Sequence, residues 1–173
     1  MQVTYKNISY TLGKKDRVIE TEAPAVRIKM ANNEVKVIGL MAPAIQVMIT
    51  LNDISMYSSK IHEVINSTKR NIYAYIITTS NDEQIEDLVE NLALNKGFIS
   101  NEFKDFSLKF GVNINDSMIV NSIFVIDKEG VIKYKEIPAD LDDDFNIEQF
   151  SISLNEVVNF KPKGHTHENW MGV

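Results

Sequence analysis

The sequence predicts an α/β protein with one domain, in which helices flank a mixed central sheet and a β-hairpin precedes that sheet. Three observations lead to this prediction. The chain has 173 residues, of which 44% are hydrophobic and 24% are charged, so it can bury one core of ordinary size. Apolar segments of strand length alternate with segments of helical periodicity in its middle, which favours parallel strands. Two late strands joined by a glycine turn add antiparallel pairing.

The N-terminal part of the chain contains strand patterns only. Residues 2–12 alternate apolar and polar side chains around an Asn, which predicts a small β-hairpin. The backbone at Ala23 is expected to be extended because a proline follows it. Residues 25–30 and 34–39 predict two further short strands, joined by the turn-rich segment A-N-N.

The middle of the chain predicts two strand–helix units. Residues 45–51 form an apolar run of strand length, and helical spacing of apolar residues begins near Ser58 or Ser59. Residues 71–79 are rich in β-branched and aromatic side chains, which predicts a buried central strand. A second helical pattern follows directly.

This second helix has the clearest end signals in the sequence. Ser80 and Glu83 have the spacing of a capping box, which would start the helix. Apolar residues recur at helical spacing from Ile85 onward, and Gly97 is placed to end the helix. Residues 103–110 predict one or two more helical turns.

The C-terminal part predicts a hairpin followed by a helix. Residues 119–126 form a strand pattern, Gly130 suits the positive φ of a turn, and residues 131–137 form the returning strand. Residues 147–158 have helical spacing, although the alternation within 150–154 also fits a strand.

Together these elements suit a thioredoxin-like layer fold. The sequence has no internal repeat and no low-complexity linker, so we expect one domain over residues 1–159. Residues 160–173 contain Pro and Gly and have no period, which predicts a C-terminal tail.

Composition excludes several kinds of function. The chain has no cysteine, so disulfides, cysteine zinc sites and thiol nucleophiles are ruled out. The 24 Asp and Glu outnumber the 18 Lys and Arg, and the net charge of −6 argues against binding to nucleic acid or to an anionic membrane. No apolar stretch is long enough to span a bilayer, and the N-terminus has no apolar signal core, so we expect a cytoplasmic protein.

Several segments resemble the bacterial thiol peroxidases, a branch of the peroxiredoxins. The segments are E-A-P-A-V (22–26), F-G-V (110–112), S-I-F-V-I-D (122–127) and V-I-K-Y-K-E-I (131–137). The resemblance extends over about residues 2–159. It implies a thioredoxin-like fold and a homodimer that forms through the region around the active-site loop. No cofactor is implied.

In that family the chemistry lies in a segment P-x-x-x-T-x-x-C between a strand and a helix. The cysteine thiolate attacks a peroxide, while the Thr and an Arg orient it. The matching stretch here is I-T-L-N-D-I-S-M-Y (49–57), and it can be matched in two registers. In the first register Ile49 replaces the Pro, Asp53 the Thr and Met56 the Cys.

In the second register Thr50, Ile54 and Tyr57 take those three places, and the phase of the following helix favours this choice slightly. The position that corresponds to the Arg is Asn121 in either case. The family's second, resolving cysteine would fall near Leu88 or Val89, both apolar.

The resemblance therefore implies a site whose reactive residues have been replaced. A thioether has no proton to lose, and a phenol with an ordinary pKa near ~10 is a poor nucleophile at neutral pH. We predict a non-catalytic scaffold or binding protein, with a second copy or an active relative as partner. The alternatives are a relative of the peroxidases in ancestry only, a small ligand near Asp53, Tyr57 and Asn121, and another activity with Asp53 as base or Tyr57 as acid.

A few other residues are weak candidates for a site. His165 and His167, beside Glu168, are suitable metal ligands, but their spacing in the tail is weak evidence, so we expect no metal site. His62 is expected on the surface of the first helix. Trp170 could pack back onto the domain.

Overall fold

The computed structural model describes residues 1–13, 15–68 and 71–160. In this part of the chain short strands come first, and strands and helices then alternate. The strands are β1 (Gln2–Tyr5), β2 (Ile8–Thr11), β3 (Ala25–Lys29), β4 (Val35–Gly39), β5 (Ile45–Leu51), β6 (Ile72–Thr78), β7 (Ile99–Ser100), β8 (Ser122–Ile126) and β9 (Ile132–Glu136). The helices are α1 (Ser59–Asn66), α2 (Asp82–Leu92), α3 (Phe103–Phe110) and α4 (Ile147–Asn159), with 3₁₀ turns at Ile54–Met56 and Lys96–Phe98.

A mixed sheet of five strands forms the centre of the fold, in the order β7-β6-β5-β8-β9. Strand β5 is parallel to β6 and antiparallel to β8, and each of its seven residues is buried. A strand that is covered on both faces is mostly apolar, and five of the seven residues of β5 are apolar. The predicted α/β class with a mixed central sheet is confirmed.

The two faces of the sheet carry separate layers of core. Alternate residues of β5, such as Val47 and Ile49, face the layer that includes apolar residues of α1, α2 and α4. Met48 points to the opposite face, where Phe106 and Phe110 of α3 pack together with the inner residues of the two N-terminal hairpins. The period of two along β5 thus divides the core between the layers.

The N-terminal hairpins β1–β2 and β3–β4 form small sheets of their own. The main chain connects them to the C-terminal half of the molecule. The Thr4 amide donates to the Ala139 carbonyl at 2.8 Å, and the Glu20 amide donates to the Ile132 carbonyl at 2.8 Å. The predicted N-terminal hairpin is confirmed, and it covers the sheet rather than extending it.

The start of α2 differs from the prediction. The helix is capped by Asn81, whose side chain accepts from the Gln84 amide, while the Gln84 side chain accepts from the Asn81 amide. The capping box is therefore one residue later than the predicted pair Ser80 and Glu83. The hydroxyl of Ser80 is instead used elsewhere, as an acceptor for the Ile54 amide.

Two further element bounds also differ, and one segment with two possible structures is helical. Helix α2 ends at Leu92 and is capped by Ala93, which has a left-handed φ of 51°, so Gly97 does not end the helix and lies in the following 3₁₀ turn. The strand predicted over 119–126 begins at Ser122. The alternation within 150–154 belongs to α4 and not to a strand. The predicted division into a domain (1–159) and a tail (160–173) stays a prediction, because the tail beyond residue 160 lies outside the described residues.

Candidate functional site

The predicted site residues lie around the carboxyl end of β5, but the residues within the strand are inaccessible. Ile49 and Thr50 are fully buried. The Thr50 hydroxyl donates to the Val120 carbonyl at 2.8 Å and lies 2.5 Å from the Ser122 hydroxyl. A side chain that is buried and hydrogen-bonded in this way has no exposed atom to offer a substrate.

Asn121 joins two loops across this end of the sheet. Its side-chain oxygen accepts from the Asn52 amide at 2.9 Å, and its side-chain nitrogen donates to the Leu141 carbonyl at 2.9 Å. The residue is only 2% exposed. A neutral amide in this place satisfies buried backbone groups, and it brings no positive charge to the site.

The loop after β5 is held by its own polar groups. The Asp53 carboxylate is exposed and accepts from the Ser55 amide at 2.9 Å, which caps the 3₁₀ turn. The buried Ile54 donates its amide to the Ser80 hydroxyl at 2.9 Å. Met56 is half-buried against the helical layer of the core. The residues at these three positions therefore have local structural roles.

Asn52 is a residue of this region that sequence reasoning missed. Its side-chain oxygen accepts from the Ile119 amide at 3.2 Å, and its carbonyl accepts from the Thr79 hydroxyl at 2.5 Å. It is the first residue after β5, a strand whose seven residues are all buried. That position, directly behind a buried strand, was the available signal.

Tyr57 lies at the end of the loop and belongs to the helical layer of the core. Its side chain is 6% exposed, and its phenol oxygen lies 3.1 Å from Nδ1 of His62. The other ring nitrogen of His62 lies 2.9 Å from the side-chain nitrogen of Asn66. His62, which we expect on the surface of the first helix, is half-buried, and its ring links two polar side chains.

Burial also governs the chemistry of Tyr57. Loss of hydration raises the pKa of its phenol to about 12, so the group stays protonated at neutral pH. A neutral phenol donates and accepts hydrogen bonds but is not a nucleophile. In the described part of the chain no hydrogen bond joins Asp53 to Tyr57, so the two residues form no acid–base pair there.

A cleft of about 160 Å³ opens beside Tyr57, between α1 and the first half of β6. Its walls are mostly apolar, and its lining residues are Tyr57, His62, Ile65, Asn66, Ile72, Ala74, Ile76, Leu94, Asn95, Phe98 and Ile99. The sequence does not predict this cleft, because residues far apart in the chain form it.

Two further predicted positions lie on helix α2 and carry no reactive group. Leu88 and Val89 are half-buried on the core side of α2. His165 and His167 lie outside the described residues. Within residues 1–13, 15–68 and 71–160, no three His, Asp or Glu side chains are grouped as a metal site would require. In the same ranges no helix is both long enough and apolar enough to cross a membrane.

Comparison with solved structures identifies the fold of this chain. A peroxiredoxin-like protein from Aquifex aeolicus matches 90% of this chain and 96% of its own with a TM-score of 0.79 at 18% identity. The chain has the peroxiredoxin fold. A thiol peroxidase from Chromobacterium violaceum matches the same shares of the two chains, with a TM-score of 0.73 at 15% identity.

A more distant structure, the mitochondrial 2-Cys peroxiredoxin from Plasmodium falciparum, gives a TM-score of 0.57 at 16% identity over 82% of this chain and 94% of its own. No protein-family model and no curated protein matches the sequence. The peroxiredoxin fold that the resemblance implied is thus confirmed over most of the chain, which contains no cysteine.

Proposed function

We propose that this protein is a non-catalytic member of the peroxiredoxin fold that acts by binding. One observation carries the proposal: none of the 173 residues is a cysteine. Peroxide reduction by the peroxiredoxin route requires a thiolate that becomes a sulfenic acid. The thioether of Met56 and the neutral phenol of Tyr57 cannot take that place in either register.

The neighbouring residues support the same conclusion. Thr50 and Asn121 use their polar atoms to join strands and loops, and neither side chain is accessible. Asp53, the exposed charge of the loop, caps the turn and would repel an anionic nucleophile. These contacts also disfavour the alternative in which Asp53 acts as a base.

The surface around the former active-site loop is the proposed binding face. A groove of about 450 Å³ runs beside the start of α1, where the half-buried Met56 and Ile147 offer apolar surface and Lys60 and Asp144 offer charge. We propose that a second copy of the chain or an active relative docks here, in the cytoplasm. This proposal extends the homodimer that the resemblance implied.

A measurement of peroxide consumption tests the proposed absence of peroxidase activity. The purified protein, treated with a metal chelator, is mixed with thioredoxin, its reductase and hydrogen peroxide or an alkyl peroxide. We expect the rate to equal that of a protein-free blank, since no thiol is present. Turnover above the blank that scales with protein concentration would overturn the proposal.

Light scattering after size exclusion tests the binding face. We expect a dimer for the unmodified protein and a monomer for Met56→Glu, because the charge would be buried in the interface. Leu108→Glu is the matched control, since Leu108 is 56% exposed on α3 and does not line the groove. A monomeric unmodified protein, or a dimer that Met56→Glu leaves intact, contradicts this homodimer.

A further inference from the structure

We propose that the cleft beside Tyr57 binds a small, uncharged and mainly apolar molecule with one hydrogen-bonding group, such as a phenol. The inference deepens the proposed binding function by assigning it a ligand class. It does not depend on the groove beside Met56 or on the absence of peroxidase activity, so it can fail separately from both.

The walls of the cleft are suited to an apolar ring. Ile72, Ala74 and Ile76 are alternate residues of β6, so their side chains lie on one face of the strand. Ile65 of α1 and Leu94, which follows α2, form the other sides. Ala74 is the smallest of these wall residues and leaves room above the strand.

The volume of the cleft sets the size of its occupant. An apolar cavity of about 150 Å³ accommodates one benzene molecule. The cleft measures about 160 Å³, so a single six-membered ring with one small substituent fits it. A fused ring system of twice that size would extend into solvent.

Three polar side chains of the lining, those of Tyr57, His62 and Asn66, contact one another in a row, while the Asn95 side chain accepts from the Gly97 amide. The Asn66 side-chain nitrogen donates to Nε2 of His62, which places the imidazole proton on Nδ1, directed at the Tyr57 oxygen. In this arrangement the phenol oxygen accepts from His62, and its own O–H is left to donate to a ligand. The buried Tyr57 thus provides one directed hydrogen bond.

The charge of the lining determines which ligands are rejected. Among the described residues that line the cleft, none is Asp, Glu, Lys or Arg. A carboxylate or an ammonium group would lose its hydration without gaining a counter-ion, which costs more than an apolar ring recovers. The ligand class is therefore neutral.

Titration of the ¹⁵N-labelled full chain with phenol tests the proposal, and toluene is the matched probe without a hydroxyl. We expect saturable shifts at the cleft residues with both probes, and about fivefold tighter binding of phenol, because one hydrogen bond is gained. Tyr57→Phe should remove the preference for phenol while still binding toluene. If Tyr57 only supported the fold, Tyr57→Phe would leave the ratio of the phenol and toluene affinities unchanged.

A variant in which a larger side chain fills the cleft provides a second test of ligand binding. Ala74→Leu should abolish the binding of both probes, while Ala42→Leu, a half-buried alanine that does not line the cleft, should leave it intact. Ala74→Val replaces Ala74→Leu if the larger side chain prevents folding, which the same spectra show. The proposal is overturned if neither probe saturates, if the shifts lie away from the cleft, or if the filled variant still binds. It is also overturned if these resonances respond to protein concentration and not to the probes, since a second copy then occupies the cleft.

Discussion

The phenol oxygen of Tyr57 lies 3.1 Å from Nδ1 of His62, at the junction between the loop after β5 and helix α1. The rings meet edge to face, with their centres 5.8 Å apart. The contact directs the tyrosine away from the loop surface and into the helical side of the molecule. As a result the residue that takes the cysteine position in one register belongs to the wall of a cleft.

Alkaline pH should weaken the fold through Tyr57. Its pKa is raised to about 12 by burial, whereas an exposed tyrosine ionises near ~10. The folded state therefore holds this proton more tightly, and its contribution to the free energy of unfolding is complete below about pH 10. It is lost progressively as the pH rises to about 12. Urea denaturation across this range measures the loss.

The variant Tyr57→Phe isolates that contribution. We expect its free energy of unfolding to fall less steeply than that of the unmodified protein over the same pH range. Tyr134 is common to both proteins, so its raised pKa cancels in the comparison. Tyr10→Phe, in the N-terminal hairpin, controls for the loss of one phenol. Parallel pH curves for Tyr57→Phe and the unmodified protein would refute the prediction.

A cysteine placed in the loop after β5 should not confer peroxide reduction. Tyr57→Cys and Met56→Cys each give a chain with one thiol, so sulfenic acid formation can be followed by mass spectrometry. We expect both thiols to react with hydrogen peroxide at rates like that of free cysteine, because Asn121, at the position that corresponds to the family's Arg, brings no positive charge to activate the thiol.

The two substituted positions differ in burial, so the two thiols should differ in their accessibility to a reagent. Met56 is half-buried and Tyr57 is 6% exposed, so a thiol-specific reagent should label Met56→Cys faster than Tyr57→Cys. A Tyr57→Cys thiol that peroxide oxidises far faster than free cysteine would show that the site is still activated, and the proposed loss of function would then be wrong.

Removal of the Asn121 side chain should destabilise the fold. Asn121→Ala leaves the Asn52 amide and the Leu141 carbonyl without their partner, and we expect a loss of about 3 kcal/mol in the free energy of unfolding. Asn115→Ala is the control, since Asn115 is exposed and its side chain bonds only within its own turn, to Ser117. Equal losses in urea denaturation for the two variants would contradict this role of Asn121.

Two substitutions at left-handed residues should have opposite effects. Gly111 has a φ of +71°, and a Cβ there would overlap the Lys15 carbonyl, so Gly111→Ala should lower the melting temperature strongly. Ala93 ends α2 with a φ of 51°, a conformation that glycine adopts without strain. Ala93→Gly should therefore stabilise the protein by about 0.5–1 kcal/mol. The same sign for both changes in thermal denaturation would refute the argument.

The fold could be predicted from the sequence because its local and long-range signals agree. The apolar run of β5 is as long as the buried strand, and the helical spacing begins within a residue of Ser58, which caps α1. The turn at Gly130, with a φ of +86°, joins the two late strands as expected. The sequence alone could not decide whether Ser80 or Asn81 caps α2. The decision depends on a tertiary contact, because the Ser80 hydroxyl accepts from the Ile54 amide.

The candidate site was less predictable, because its chemistry depends on contacts between distant segments. The sequence identified Asn121 as a position without charge, but its bonds to Asn52 and Leu141 require the folded sheet. The same holds for His62, whose helical position suggested a surface residue. Its link to Tyr57 depends on the path of the loop, which no periodic pattern describes.

The hydrogen bonds at the carboxyl end of β5 also determine how this edge behaves over time. The amides of Asn52, Ile54 and Ile119 are each held by a side chain from another segment of the chain. Amide hydrogens of this kind exchange with solvent only when those segments separate. A reaction centre exchanges partners in every turnover, whereas the hydrogen bonds at this edge hold three segments of the chain together.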